Sequence, residues 1–203
     1  MLQKGDMKEF WEARHKEDNI ASLSGHPASA IINGLYLLGI ITPGSRLLEI
    51  GVGLGICTRE LVDMGFKVSV LDISEEAIKR VRAMVRRAYL ESEIETLPDN
   101  YYDIAISYCV VQHMNNQSLA RQLKNVIRCL TPNGIYAMQY AIPFHDVKYN
   151  ESNIAMEAGS VCRPLEMMYE LVNQAGGKIT YHRIWGMFPQ YQSGWAIAHI
   201  GKI

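Results

Sequence analysis

The chain has 203 residues, of which 48% are hydrophobic and 20% are charged, and its formal net charge is −1. This length and composition are typical of a soluble globular domain that buries a core of its own. The near-neutral charge gives no electrostatic reason to expect a nucleic-acid partner, because such binding depends heavily on the neutralisation of phosphates.

The N-terminal residues lack the apolar segment of a signal peptide. No apolar run approaches the roughly 20 residues that a bilayer-spanning helix needs. The four cysteines form no C-x-x-C pair, so the sequence predicts neither a zinc site nor a disulfide framework. We therefore expect a cytoplasmic protein with reduced thiols and no bound metal.

Residues 1–44 precede the regular alternation of strands and helices. Within them, residues 10–16 (FWEARHK) read as an amphipathic helix that presents an aromatic pair. A tryptophan can stack on a flat substrate or bind a methylated cation, although such a residue more often anchors its helix to the domain. Trp11 and His15 are therefore candidates for contacts with a substrate, with the anchoring role of Trp11 as the alternative.

A glycine-rich turn follows the first clear strand. Residues 47–57 (LLEIGVGLGIC) combine an apolar strand that carries Glu49, three glycines and the start of a helix. Glycines leave room for a ligand to approach the backbone, and a helix start leaves unpaired N–H groups beside it. A second strand, residues 68–71, ends at Asp72, whose carboxylate can accept both hydroxyls of a ribose. The pattern predicts a nucleoside-binding site at two neighbouring strand ends.

The spacing of the glycines indicates which nucleoside binds. A dinucleotide fingerprint has its third glycine three residues after the second, but that position holds Ile56, and the third glycine is Gly55. The charge of Glu49 would be unfavourable beside a diphosphate, but it is acceptable beside a cationic ligand without phosphate, such as S-adenosylmethionine. Together with Asp72, the acidic residue and its G-x-G-x-G turn resemble the first motif of the class I S-adenosylmethionine-dependent methyltransferases.

This resemblance covers roughly residues 45–203. It implies an α/β, Rossmann-like fold: a seven-stranded, mostly parallel sheet with an antiparallel last strand, helices on both faces and an N-terminal helical lid. We expect residues 1–203 to form a single methyltransferase domain, with residues 1–44 as the lid and residues 45–203 as the core that binds S-adenosylmethionine. The cofactor-binding residues that the resemblance implies are Glu49, Gly51, Val52, Gly53, Gly55, Asp72, Ile73, Glu93, Ile94 and Tyr108.

The adenine contact depends on the register of an acidic segment. Residues 93–98 (EIETLP) resemble the family segment in which an acidic residue accepts from the adenine amino group and the next backbone N–H meets the ring. This resemblance assigns those roles to Glu93 and Ile94. Glu91 and Glu95 leave the register open, since the family usually has Asp here, and a solvated acidic loop is the alternative.

The remaining segments alternate between strand and helix patterns. Ser74 can cap a helix whose apolar residues continue as far as Ala88, with a basic run from Lys79 to Arg87 on its solvated face. Strands are predicted at residues 103–107 and 135–141, with a helix between them over about 119–130. Another helix runs from Pro164 to Gly176. We expect residues 178–184 and 195–203 to form an antiparallel hairpin at one edge of the sheet.

His113 is the candidate catalytic residue, because it follows the fourth strand at the end where ligands bind to an open parallel sheet. Its imidazole could take a proton from a hydroxyl nucleophile, and the alternative is that it caps a helix or binds a backbone carbonyl. Tyr140, near the end of the next strand, is predicted to contact the substrate. We expect His145 in an exposed loop and structural roles for His182 and His199.

The chain contains neither the Asp/Asn-Pro-Pro-Tyr segment that holds planar amino groups in related enzymes nor the Pro-Cys pair that attacks a pyrimidine ring. We therefore expect a small-molecule acceptor and O-methylation by in-line methyl transfer. The alternatives are a non-catalytic S-adenosylmethionine-binding partner subunit and a protein methyltransferase. An NAD(P)-dependent oxidoreductase is disfavoured, because Ile56 breaks its fingerprint and no Tyr is followed by Lys four residues later.

Overall fold

The computed structural model describes residues 4–16, 41–143, 161–188 and 193–203. After an N-terminal helix, strands and helices alternate along these ranges. The helices are α1 (Lys4–Lys16), α2 (Ile56–Asp63), α3 (Glu75–Val81), α4 (Asn116–Cys129) and α5 (Leu165–Gln174), with two short 3₁₀ helices, η1 (Glu91–Thr96) and η2 (Val111–His113). The strands are β1 (Arg46–Ile50), β2 (Lys67–Asp72), β3 (Arg87–Leu90), β4 (Tyr102–Ser107), β5 (Leu130–Pro143), β6 (Gly177–Phe188) and β7 (Ser193–Lys202).

The strands form one seven-stranded sheet in the order β3-β2-β1-β4-β5-β7-β6. The first five strands are parallel, and β7 runs antiparallel to both β5 and β6. The predicted Rossmann-like sheet with its antiparallel last strand is therefore confirmed, as is the hairpin of the final two strands at one edge. Because β1, β2 and β4 pair in parallel, their carboxyl ends meet at the same edge of the sheet, as the predicted nucleoside site requires.

Helices cover both faces of the sheet. Since successive residues of a strand point to opposite faces, neighbouring strand residues pack against different helices. Leu47 of β1 packs in a core cluster with Leu61 of α2 and Val81 of α3. Its neighbour Leu48 packs in the other core cluster, which contains Leu123 of α4 and Met168 of α5. Strands that are buried on both faces are rich in apolar residues, and this explains why most residues of β1 and β4 are hydrophobic.

The predicted helix after Ser74 is shorter than its apolar pattern indicated. Ser74 is the N-cap, and its Oγ accepts from the N–H of Ala77 at 3.2 Å, but α3 ends at Val81. Arg86 N–H donates to Val68 O at 2.7 Å, and the chain then pairs with β2 as strand β3. The prediction that the helix extends to Ala88 was wrong. Pairing with the free edge of β2 outweighs a helical pattern that is only local.

Some sequence predictions fall outside the described residues. These are the loop position of His145 and the structure of residues 17–40, so the helical lid over residues 1–44 stays a prediction beyond α1. Within the described ranges, no helix is long and apolar enough to cross a membrane.

Candidate active site

The glycine turn between β1 and α2 uses backbone conformations that favour glycine. Gly51, Gly53 and Gly55 have φ values of 77°, 54° and 76°. A Cβ on Gly51 would lie 2.1 Å from Val110 Cγ2, and one on Gly55 would lie 2.5 Å from Val81 Cγ1. A Cβ on Gly53 would meet no atom of the described residues within 4 Å. Gly51 and Gly55 therefore let the turn pack against its neighbours, whereas the described residues leave space at Gly53 for a ligand to approach the backbone.

Asp72, at the end of β2, is tied to this turn by hydrogen bonds. Its Oδ2 accepts from the N–H groups of Val52 at 2.7 Å and Gly53 at 3.4 Å, and its Oδ1 accepts from Ser74 N–H at 2.8 Å. The side chain is buried, and burial raises the pKa of its carboxyl above the ordinary value. The predicted ribose-binding residue thus lies against the predicted glycine turn.

Glu49 is the second buried carboxylate of this region. The residue is 3% exposed, and its Oε2 has no hydrogen-bond partner among the described residues. Burial raises the pKa of this carboxyl to about 7. A buried acceptor without a partner is costly, and a cationic group of a ligand would relieve that cost. This orphaned oxygen beside the glycine turn fits a positively charged nucleoside.

The predicted adenine segment begins at the tip of β3. Leu90 pairs with Asp72 in the parallel register, so η1 starts beside the end of β2. Glu93 Oε2 accepts from Leu90 N–H at 2.8 Å, and Ile94 is buried. Both of the neighbouring glutamates in question, Glu91 and Glu95, pair with Arg121, at 2.5 Å and 3.0 Å. The register that assigns adenine to Glu93 stays a prediction.

Helix α1 brings three predicted residues together. The Trp11 ring lies 5.2 Å from the His113 ring in an edge-to-face arrangement and 5.8 Å from the His15 ring in a stacked one, measured between centroids. His15 is 4% exposed, and its Nδ1 has no partner among the described residues. Burial lowers the pKa of His15, while the nearby charge of Asp72 acts in the opposite direction. The aromatic residues of α1 therefore lie beside both Asp72 and His113.

Glu12 attaches α1 to the start of α3, a contact that the sequence reading missed. Its carboxylate accepts from Ser74 Oγ at 2.9 Å and from the N–H groups of Glu75 at 2.7 Å and Glu76 at 3.2 Å. The N–H groups of a helix start are a favourable place for a carboxylate. Since Ser74 also donates to Asp72, a short chain of hydrogen bonds joins α1 to the predicted ribose residue.

The segment between β4 and α4 carries Tyr108, Cys109 and His113. Tyr108 is half-buried against the core cluster on the α2 and α3 face of the sheet. Cys109 has a φ of 56°, which is uncommon for a residue with a side chain, and its N–H donates to Gln139 Oε1 at 2.7 Å. Gln139 belongs to β5 and is buried. No local sequence signal pointed to this support from β5.

Tyr140 lies on the other face of the sheet, among the buried residues that pack against α4 and α5. Its hydroxyl is 2.8 Å from His182 Nε2. In the described ring contacts, the Tyr140 ring lies beside His182, whereas the Trp11 ring lies beside His113. His199 lies in β7, 4.7 Å from the ring of Tyr181. The contact of Tyr140 with a substrate stays a prediction.

Comparison with known proteins gives consistent matches. Residues 48–138 match a family profile described as a methyltransferase domain. The chain is 26% identical over 187 residues to N-terminal Xaa-Pro-Lys N-methyltransferase 1 of Bos taurus. This alignment covers 83% of this chain and 82% of that protein. Identity to the protein of the same name from Ailuropoda melanoleuca is 27% over 144 residues. This alignment covers 66% of this chain and 62% of that protein, so the chain spans less than two thirds of the length of this relative.

Among solved structures, the 1,6-didemethyltoxoflavin-N1-methyltransferase of Burkholderia thailandensis, with bound 1,6-didemethyltoxoflavin and S-adenosylhomocysteine, is similar with a TM-score of 0.73. The match covers 97% of this chain and 87% of that chain at 15% identity, so it concerns the fold. The profile match, the strand order and the acidic glycine turn agree with one another. The fold is that of the class I S-adenosylmethionine-dependent methyltransferases, and the profile match identifies residues 48–138 as a methyltransferase domain.

Proposed function

We propose that the chain transfers a methyl group to a small-molecule acceptor whose attacking atom is a hydroxyl oxygen. The observation that carries this proposal is the position of His113, which follows β4, the neighbour of β1 in the sheet, and has its ring 5.2 Å from that of Trp11. An imidazole thereby follows the strand next to β1, whose end carries the glycine turn. A general base must lie within reach of the proton that it removes.

The buried carboxylates and the glycine turn support binding of the methyl donor. S-adenosylmethionine supplies a methyl group on a sulfonium, which is already activated for displacement. In this proposal Asp72 accepts from the ribose hydroxyls and Gly53 leaves the backbone open to the ligand. Glu49 Oε2, which has no hydrogen-bond partner in the part of the chain that the structure describes, faces positive charge. Glu93 and Ile94 contact the adenine. The other residues proposed to bind the methyl donor are Val52, Ile73 and Tyr108.

The reaction forms a carbon–oxygen bond to the acceptor as the carbon–sulfur bond breaks, with S-adenosylhomocysteine as the second product. His113 takes the proton that the acceptor hydroxyl loses. Most of the rate gain comes from holding the hydroxyl oxygen in line with the methyl group, because fixed geometry removes much of the entropic barrier. Proton transfer is the smaller contribution, and it applies because a neutral hydroxyl is a weak nucleophile.

Helix α1 supports a small, enclosed acceptor. Glu12 fixes the helix to α3, and its aromatic residues Trp11 and His15 lie against the site. A helix in this position limits the room beside His113. We assign Trp11 and His15 to the wall of the acceptor site, which makes α1 the described part of the predicted lid.

Methylation of an amine is the second candidate. It is favoured by the similarity to relatives from Bos taurus and Ailuropoda melanoleuca that are named N-terminal Xaa-Pro-Lys N-methyltransferase 1. An α-amino group has a pKa near 8 and loses its proton to water readily, so this reaction would depend less on His113. The two candidates therefore differ in the acceptor and in their need for a base.

A labelled methyl donor separates the candidates. The purified chain is incubated with an extract and S-adenosylmethionine that carries a radioactive methyl group, and the products are divided into small molecules and proteins. Label in a small molecule, in a bond shown by mass spectrometry to be a methyl ether or ester, supports the proposal. Label at protein N-termini supports the second candidate, and S-adenosylmethionine binding without label in any fraction indicates a non-catalytic partner subunit.

Replacing His113 tests the role of the base. We expect His113→Ala to lower kcat roughly 10²-fold, at the low end of what general bases contribute, while the affinity for S-adenosylmethionine is retained. His199→Ala is the matched control, because His199 is a half-buried histidine on β7 that contacts Tyr181. Full activity of His113→Ala would assign a structural role to this residue.

A further inference from the structure

We infer that Arg163 is a positioning residue for methyl transfer, because its guanidinium holds the short helix η2 that carries His113. This inference rests on the role proposed above for His113. Arg163 has no exposed surface, and it lies two residues before α5. No motif in the sequence pointed to it.

The Arg163 guanidinium contacts the first residue of η2 and the residue just after η2. Its Nη1 donates to Val111 O at 2.9 Å, and its Nη2 donates to Met114 O. Its Nε donates to Asn116 Oδ1 at 2.9 Å, at the start of α4. One planar group therefore binds the residues before and after His113 and the helix that follows. A guanidinium suits this task, because its donors are fixed in a rigid fork.

The backbone around Arg163 is itself fixed to the sheet. Arg163 N–H donates to Ala141 O at 2.8 Å, and Cys162 forms an isolated parallel bridge with Ala141 of β5. Val161 N–H donates to Gln112 O at 2.8 Å, so the same segment also binds η2 directly. Arg163 thus connects the end of a central strand to the residues on either side of His113.

This arrangement has a consequence for catalysis and not only for stability. A three-residue 3₁₀ helix has few hydrogen bonds of its own, and here His113 N–H donates to Val110 O at 2.9 Å. The direction of the His113 ring therefore depends on outside support. Small displacements of a catalytic group are costly, since about 1 Å of misplacement can slow a reaction roughly 10²-fold. The Asp72 carboxylate is held by the N–H groups of Val52, Gly53 and Ser74, and we expect cofactor binding to be independent of the Arg163 contacts.

The test compares two arginines that bind backbone carbonyls. Arg163→Lys keeps the charge but cannot reach all three acceptors, and we expect kcat to fall about 10- to 10²-fold with unchanged affinity for S-adenosylmethionine. Arg128→Lys is the matched control: Arg128 donates to Leu97 O at 2.9 Å and to Glu95 O at 3.2 Å, on η1 and just after it. We expect its kcat to remain at the wild-type value. Wild-type kcat in Arg163→Lys would overturn the inference.

Asn116→Ala provides a milder variant if Arg163→Lys folds poorly, because it removes only one of the three acceptors. We expect a smaller loss of kcat in the same direction, and an unchanged kcat in this folded variant would overturn the inference. A double-mutant cycle then tests the route of the effect. If Arg163 acts through His113, Arg163→Lys changes kcat by less than about twofold in the His113→Ala background, whereas distant, independent sites give additive losses.

An activity-free measurement keeps the inference separate from the proposed function. Amide hydrogen exchange at His113 reports the local stability of η2. Faster exchange there in Arg163→Lys, but not in Arg128→Lys, supports the positioning role, and equal exchange in both variants overturns it. Full activity of His113→Ala would instead contradict the proposed base, whatever the exchange result at η2.

Discussion

At the end of β2, the Asp72 carboxylate accepts from the glycine turn through one oxygen and from Ser74 through the other. These contacts orient the carboxylate and shape the turn at the same time. A carboxylate oxygen can accept more than one hydrogen bond, so the ribose hydroxyls can bind to an acceptor that is already held in place. In the proposed function, Asp72 therefore links local backbone structure to recognition of the nucleoside.

Replacing Asp72 tests this double role. We expect Asp72→Ala to weaken binding of S-adenosylmethionine and S-adenosylhomocysteine by at least about 1–3 kcal/mol, because buried polar partners lose their acceptor. Isothermal calorimetry measures the affinities. Asp103→Ala is the control, since Asp103 pairs with Arg46 at 2.9 Å at the opposite ends of the strands. Unchanged affinity of Asp72→Ala would remove this residue from the ribose role.

Glu49 makes the stability of the fold depend on pH. Burial raises the pKa of this carboxyl from its ordinary 4.5 to about 7, so between these values the folded state holds the proton more strongly than the unfolded state. The free energy of unfolding contributed by this group therefore falls as the pH rises from about 4.5 to 7 and is level above 7, by roughly 3 kcal/mol in total.

Urea unfolding of the wild type and of Glu49→Gln at pH 5 and pH 8 measures this effect. We expect the variant to be more stable relative to the wild type at pH 8 than at pH 5, because an amide cannot ionise. The same variant should bind S-adenosylmethionine more weakly at pH 8, since it lacks the negative charge. Parallel pH dependence of unfolding in the two proteins would contradict the assigned pKa.

At the scale of whole elements, the sequence predicted the structural features that depend only on neighbouring residues. The apolar strand, the G-x-G-x-G turn and the cap at Ser74 each depend on neighbouring residues, and the structure has them where they were expected. The end of α3 was predicted wrongly, because β3 forms by pairing with β2 and not from its own pattern. The side-chain contacts of Glu12 and Arg163 join residues more than 45 positions apart, and no sequence pattern encodes a contact between such distant residues.

Helix α1 makes polar contacts with the start of α3, and Glu12 provides three of the hydrogen bonds. Although burial opposes it, the N–H groups of Glu75 and Glu76 hold the pKa of Glu12 below its ordinary value. The carboxylate acts as a cap for α3 that comes from another helix. Caps of this kind contribute about 0.5–2 kcal/mol, enough to decide whether a short helix stays docked.

We expect Glu12→Ala to release α1, so that limited proteolysis cuts it faster and S-adenosylmethionine dissociates faster. Glu9→Ala is the matched control, because Glu9 is an exposed glutamate one turn earlier on the same helix. Stopped-flow fluorescence can follow the dissociation through Trp11, whose ring lies against His113. Equal rates of cleavage and dissociation in both variants would show that Glu12 does not hold the helix.

For the molecule as a whole, the site is assembled from elements that are distant in sequence. The turn after β1, the end of β2, the segment after β4 and helix α1 meet at one edge of the sheet. No single segment contains all of these parts, so none supplies the proposed nucleoside site alone. Ligand binding should therefore stabilise the entire domain and not one local region.

Thermal unfolding tests this coupling. A ligand at 100 times its Kd stabilises the folded state by about 2.7 kcal/mol, and for a chain of this size each kcal/mol raises Tm by roughly 2–4 °C. We expect S-adenosylmethionine and S-adenosylhomocysteine each to raise Tm by about 5–11 °C in a single transition, and Asp72→Ala to lose most of that shift at the same concentrations. NADH serves as the control, because the glycine spacing around Ile56 and the charge of Glu49 disfavour a diphosphate. An equal shift with NADH would contradict the assignment of this site to a sulfonium nucleoside, and two separate transitions would contradict the single cooperative domain.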